Sequence, residues 1–263
     1  MKKYFVIYKS VLIENLQYAA NIVMGFISYF IFIFIFIRLW DYIYDDPGRL
    51  IAGYTKVQMI WYVMITEMMW HGGSSASITW QAAEDIRCGN IAYHVNKPYH
   101  YALYILSKYM GECSIKMPMY AVFCVGMGVF MVGRIPGLSI VGLAAGSISL
   151  LLGITINAVF KLSISLISFW IEDSNPFQWL YNKTLLIVGT LFPIEIFPAF
   201  LQPFFKLTPI YTVCYGPAKL FVDFSPEKFL EITSAQVIYL AAGFMFMFFL
   251  YGKGAKKLYV NGG

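Results

Sequence analysis

The chain has 263 residues, of which 59% are hydrophobic and only 13% charged, with a formal net charge of +5 and a mean hydropathy of +0.66. A soluble domain carries roughly a quarter charged residues, so this composition excludes a water-covered globule, and its scattered charge lacks the basic face that nucleic-acid binding needs. Apolar runs of about 20 residues recur, each long enough to cross a hydrocarbon core of roughly 30 Å. They do not alternate in polarity, which excludes a β-barrel.

The expected fold is therefore an all-α polytopic membrane protein with one transmembrane domain over residues 1–263. Residues 1–17 read as an interfacial helix. Lys2, Lys3, Lys9, Ser10, Glu14 and Gln17 share one side of the wheel, and Tyr4, Tyr8, Val11 and Leu12 lie on the other. No small-residue cleavage site follows the leading lysines, so a signal peptide is not expected. A first span covers residues 19–40, with the run Ile31-Phe32-Ile33-Phe34-Ile35-Phe36-Ile37 at its heart, and Arg38, Trp40, Asp41 and Tyr42 mark an interface.

Asp45-Asp46-Pro47-Gly48 is turn chemistry. A second span is expected over 57–80, with His71 and Gly72-Gly73-Ser74-Ser75 suited to close helix packing. A polar island follows at residues 84–98, where acids, bases and amides interrupt an otherwise hydrocarbon sequence. The third and fourth apolar segments, 99–132 and 138–170, flank the tight loop Gly133-Arg134-Ile135-Pro136-Gly137. Each exceeds a single crossing, so they tilt or extend beyond the bilayer.

The fourth segment ends at Glu172-Asp173-Ser174-Asn175-Pro176, and a fifth runs from 179 to about 192. Pro193, Pro198, Pro203, Pro209 and Pro217 then punctuate residues 193–221. Each removes a backbone donor, which excludes one continuous helix there and suggests a re-entrant hairpin packed on protein. A last span over 232–251 leads to the basic tail Lys253, Lys256 and Lys257. Six spans put both termini on one side, and the lysines at both ends, with Arg87 and Lys97, make that side cytoplasmic.

The layout of interfacial helix, polar helix between spans two and three, and Pro-broken hairpin between spans five and six resembles the ABC-2 type permeases. These are the membrane subunits of bacterial ATP-binding-cassette exporters. The resemblance is carried by Ile86-Arg87-Cys88-Gly89 followed by Lys97-Pro98, and by the Pro-x4-Pro segment from Pro193 to Pro198. It implies a coupling helix that docks into a groove on an ATPase subunit, and a second permease subunit, the same or different. It also implies export across the bacterial cytoplasmic membrane, and the aromatic, Met-rich composition (13 Met) suits an amphipathic or apolar substrate. No Walker A sequence occurs, so ATP and Mg would be bound by the partner and no cofactor by this chain.

For docking, Glu84, Asp85 and Arg87 would supply complementary charge, with Lys97 beside them. Ile86, Ile91 and Tyr93 would be buried anchors, and Gly89 would permit the bend. At apparent membrane depth stand Glu67, Glu112, Lys116 and Lys161, each costing a few kcal/mol unless paired or wet. Glu112 and Lys116 have the spacing of an intrahelical pair, and Glu67 would pair with Lys161 across spans two and four. These groups read either as a polar belt in a translocation pathway or as structural groups on helices that protrude.

No catalytic site is expected, since neither GxSxG nor HExxH occurs. No metal site is expected either: His94 and His100 lack ligands at metal spacing, and Cys88, Cys113, Cys124 and Cys214 show no CxxC. The rival readings are an integral membrane enzyme acting on lipid, or a secondary transporter working alone. The latter predicts an internal repeat, and none is evident.

Overall fold

The computed structural model describes residues 2–17, 19–46, 48–75 and 77–261, so Met1, Pro47 of the acidic turn and Ala76 of the second predicted span fall outside the description. Among the described residues the chain is 81% helix with no strand. The α-helices are, in chain order, α1 (Lys2–Gln17), α2 (Ala19–Ile43), α3 (Lys56–Gly72), α4 (Ala82–Arg87), α5 (Ile91–Val95), α6 (Tyr101–Met131), α7 (Ile140–Leu166), α8 (Asn175–Leu185), α9 (Gln202–Lys206), α10 (Gly216–Val222) and α11 (Pro226–Asn261).

Among the described residues four stretches are long and apolar enough to cross a membrane: Ile22–Ile43, Tyr101–Met131, Ile140–Phe169 and Pro226–Lys257. Their outward faces carry exposed side chains such as Ile31, Val122, Phe130, Ile140 and Phe249. Such faces suit contact with lipid rather than water.

The two remaining predicted spans are shorter helices. α3 has 17 residues, and α8 has 11 before a π-helical turn, Leu186–Leu191, extends it. The start of α3 is fixed by a capping box in which the Gln58 N–H donates to Thr55 Oγ1 (3.3 Å) and the Thr55 N–H donates to Gln58 Oε1 (3.0 Å). It stops at the glycine pair, glycine being a poor helix former, and neither site has room for a side chain. A Cβ on Gly72 would lie 2.9 Å from Met117 Sδ, and one on Gly73 2.7 Å from the Met69 carbonyl.

α3 is the axle of the bundle, in contact with α2, α6, α10 and the Leu186–Leu191 turn, and Met59 to Met69 are all buried. Three of its polar side chains bond to neighbouring segments. Tyr62 Oη donates to the Gly189 carbonyl (2.7 Å), Thr66 Oγ1 to the Thr190 carbonyl (2.8 Å) and Gln58 Nε2 to the Val222 carbonyl (3.1 Å). On the other side, α7 packs on α10 and α11, and Gln236 Nε2 donates to the carbonyls of Ser149 and Thr212. Buried amides of this kind hold helices together where apolar contact alone does not favour one partner over lipid.

α1 follows the first half of α6. Tyr8 Oη donates to Ser114 Oγ (3.0 Å), and Val11 meets the glycine surface at Gly111. Tyr4, Tyr8, Val11 and Leu12 thus face protein, while Phe5, Val6, Ile13 and Leu16 form a second, exposed apolar strip that the two-sided wheel did not separate.

The Pro-rich stretch needs one correction. Residues 193–208 are broken as expected, with a 3-10 turn at Ile194–Ile196 and the single turn α9. Residues 209–222, however, form an unbroken helical rod through Pro217. The rod survives because the π-helical turn Tyr211–Tyr215 re-registers the backbone just before the proline. The Val213 carbonyl lies against Gly153, where a Cβ would come within 2.6 Å of it.

Candidate functional site

Two ends can be told apart by contacts. At one end the start of α1, α4, α5, the start of α6 and the ends of α7 and α11 converge. The Lys3 ammonium donates to the Pro98 carbonyl, the His100 N–H donates to Tyr4 Oη (2.9 Å), and Lys257 reaches the Phe169 carbonyl (3.5 Å). This end holds the polar island.

The island is an elbow of two short helices. α4 ends at Cys88, whose N–H bonds back to the Glu84 carbonyl, and Gly89 adopts φ +75°. That left-handed conformation is the one place where the elbow requires glycine. α5 then runs to Asn96, and a tight turn through Tyr99 leads into α6.

The side chains divide by direction. Asp85 accepts a hydrogen bond from Tyr101 Oη (2.7 Å) and lies 4.0 Å from His94 Nε2; all three are turned into the chain. Ile86 and Ile91 are buried in the main core. Outward stand Glu84, Arg87, Cys88, Gly89, Asn90, Ala92 and Tyr93. Arg87 pairs with Glu84 at 2.5 Å, the Cys88 thiol donates to Glu84 Oε1 (3.0 Å), and half-buried Lys97 donates to Tyr93 Oη (2.6 Å) across its ring face.

The predicted roles therefore split. Glu84, Arg87, Gly89, Tyr93 and Lys97 lie on or beside the free face. Asp85, Ile86 and Ile91 are buried and bind the elbow to its own helices. Tyr93, in contrast, is 64% exposed. Burial holds the His94 imidazole below its ordinary pKa despite the nearby Asp85 carboxylate. The hydrogen bond to Glu84 pushes the Cys88 thiol up.

A second loop joins this face. The turn after α7 brings Glu172, Asp173 and Asn175 beside Trp80, Glu84 and Arg87 around an open groove of about 230 Å³. Ser168 Oγ donates to Ser174 Oγ (2.8 Å) and the Asn175 N–H to Asp173 Oδ1 (2.9 Å), so the turn is held rigidly. The sequence signal was available: counting spans puts residues 172–175 on the same side as residues 84–98.

The charges inside the helices are placed as follows. Glu112 and Lys116 form the predicted pair on α6 (3.6 Å), and Lys116 also donates to the Ser74 carbonyl (3.0 Å). Glu67 does not pair with Lys161. Its carboxylate lies 3.4 Å from His71 Nδ1, one helical turn on, with its other oxygen unpartnered. Among the described residues Lys161 makes no ion pair, and its ammonium stands 5.7 Å from the Trp70 ring centroid. The Glu67 partner is thus on its own helix, and it engages one of the two carboxylate oxygens.

The opposite end contains a polar cluster that the sequence reading missed. Glu195 Oε1 accepts from Tyr215 Oη (2.6 Å), Tyr54 Oη (3.2 Å) and Lys219 Nζ (3.1 Å). Lys219 also pairs with Asp223 (3.0 Å), which pairs in turn with Lys228 (2.6 Å). The lone acid in an apolar Pro-rich run was the available signal, by the same reasoning that singled out Glu67.

A bundle of long apolar helices with one short polar elbow displayed at an end defines a helical membrane component rather than a soluble enzyme or a nucleic-acid binder. A family model described as ABC-2 family transporter protein matches residues 22–262, and the chain belongs to that family. No curated protein matches the chain.

Proposed function

We propose that this membrane component is the permease subunit of an exporter, and that a separate ABC ATPase drives it by gripping the elbow of α4 and α5. In this reading α3 and α8 with its π-helical turn complete six crossings, since 17 residues rise about 26 Å, near the thickness of a bilayer core. Both termini and the elbow then share the cytoplasmic side. A second permease subunit, the same or different, completes the pathway, and the cargo is amphipathic or apolar. ATP hydrolysis belongs to the partner, and this chain carries no chemistry of its own.

The single observation that supports it most is the split within the elbow. Asp85, Ile86 and Ile91 weld it to α6 and the core, while Glu84, Arg87 and Tyr93 present a free, charged and aromatic face. A lever needs both properties: a rigid root, so that displacement reaches the spans, and a face that another body can hold. The groove toward Glu172 and Asp173 widens that face.

The test uses the full chain, expressed with an ABC ATPase that co-purifies with it in detergent. Arg87→Glu and Tyr93→Ala should each leave insertion intact yet lose the ATPase during purification, or leave its hydrolysis unresponsive to transport. If both variants keep the ATPase and stay fully coupled, the elbow is not the handle.

A further inference from the structure

We infer that the apolar cavity between α3, α6, α7 and α10 binds one acyl chain of a membrane phospholipid, with the lipid phosphate held at the rim by Arg134. The cavity has a volume of about 410 Å³, and Trp61, Met68, Met117, Leu143, Leu150 and Phe221 contribute to its walls. That volume is within the range of ligand-binding sites, and methionine walls adapt to a flexible chain.

Its few polar wall atoms are already occupied. Trp61 Nε1 donates to the Gly133 carbonyl (3.0 Å) and Ser147 Oγ to the Leu143 carbonyl (2.8 Å). An apolar cavity without free polar partners does not hold water well. The occupant must therefore be apolar where it enters.

Three observations select a lipid chain. First, the cavity opens sideways, because the lining residues Val125, Leu143 and Leu151 are also among the exposed ones, on helices whose outer faces are apolar throughout. Second, a whole helix, about 10 Å across with its side chains, is too thick for the space, whereas a single hydrocarbon chain is thin enough. Third, the mouth is charged in the appropriate sense. Ile135 and Leu138 line the cavity, and their neighbour in the same loop between α6 and α7, Arg134, is exposed and without an ion pair or side-chain hydrogen bond among the described residues. An arginine at the end of a span is well suited to a phosphate, which it grips through paired N–H donors. The site lies at the end opposite the elbow and does not depend on how the ATPase is held.

The experiment reconstitutes the full chain in nanodiscs with phosphatidylglycerol carrying a diazirine in one acyl chain, irradiates it and maps adducts by peptide mass spectrometry. Adducts should concentrate on Met68, Met117 and Leu150. Ala121→Phe, which fills the cavity from α6, should reduce them roughly tenfold while labelling of outward residues such as Ile31 and Ile238 persists. Arg134→Gln should lower wall labelling roughly fivefold, in line with one basic group at a charged surface. If Ala121→Phe does not fold, Ser147→Leu fills the opposite wall and decides the point. Adducts spread evenly over Ile31, Ile238 and the walls, unchanged by filling, would overturn the site. Wall labelling indifferent to Arg134→Gln would overturn the phosphate contact.

Discussion

The two ends of the bundle use the same kinds of residue in opposite ways. At the elbow, Glu84, Arg87, Tyr93 and Lys97 are held among themselves on or beside the outer face, while Asp85 and His94 are turned to the interior. At the far end Glu195 and Lys219 are turned inward, Lys219 being 8% exposed, and two tyrosines are bonded to the same carboxylate. Charge displayed at an end gives specificity toward another body. Charge buried at an end fixes register within one body, at the risk of heavy loss if a partner is removed. In the proposed reading one end is held by a partner, while the other stays locked around the proline-broken segment.

The largest expected effect comes from unlocking. Glu195→Ala leaves Lys219 and two tyrosine hydroxyls without their shared acceptor, and breaking such a half-buried group costs about 2–4 kcal/mol. The apparent unfolding midpoint in detergent should fall further than for any single substitution in the elbow. Replacing Glu195 and Lys219 together by Leu and Met should recover most of the loss, because two buried charges are then removed at once. A Glu195→Ala midpoint no lower than that of Glu84→Ala would show that the two ends do not differ in this way.

Next comes Gly89→Ala. Nothing lies within 4 Å of the added methyl, so the cost is confined to the φ of +75° and amounts to about 1–2 kcal/mol. Thermal stability should drop slightly, while retention of the ATPase drops more, since the elbow must re-angle. Equal retention in Gly89→Ala and the parent would separate the bend from the grip.

Much of this arrangement was legible before any coordinates. Hydrocarbon run lengths located α2, α6, α7 and α11, and the four-residue spacing of Glu112 and Lys116 gave their pair. What stayed hidden was direction. α4 and α5 have six and five residues, too few for a periodic pattern to reveal that Ile86 and Ile91 turn inward while Arg87 and Tyr93 do not. The Glu67 partner was misjudged because a neutral-looking His71 on the same helix competes with a cation two helices away. Glu195 and Lys219 are 24 positions apart on segments whose proline breaks leave their relative angle undetermined, and only tertiary packing brings them together.

Acid should then separate the ends by pH. Burial lowers the His94 pKa, so the unfolded chain binds more protons near pH 6.5 and below, and stability at the elbow is lost as pH falls through that window. Asp223 behaves oppositely in origin. Burial would raise its carboxyl, but the contacts with Lys228 and Lys219 prevail and hold it below its ordinary value. Its contribution is complete above about pH 3.8 and is lost only as pH falls through its lower folded value. Protection against hydrogen exchange, corrected for the intrinsic pH dependence of the rate, should therefore fall in residues 91–99 between pH 7 and 5.5, with no matching change in residues 216–228. His94→Gln should abolish that response, and an unchanged response would assign it to another group.

The smallest effect on stability, and the most telling, belongs to Glu84 and Arg87. Their ion pair is about half exposed on both sides, and such pairs contribute less than about 1 kcal/mol. Reversing both, Glu84→Arg with Arg87→Glu, keeps the pair within the chain and should leave the unfolding midpoint within about a degree of the parent. It inverts the charge order offered to a partner, however, and should abolish ATPase retention as fully as Arg87→Glu alone. If the reversal instead restored retention, the pair would matter only as an internal brace of α4, and the outward face would have to be sought at Tyr93 and the Glu172–Asp173 side of the groove.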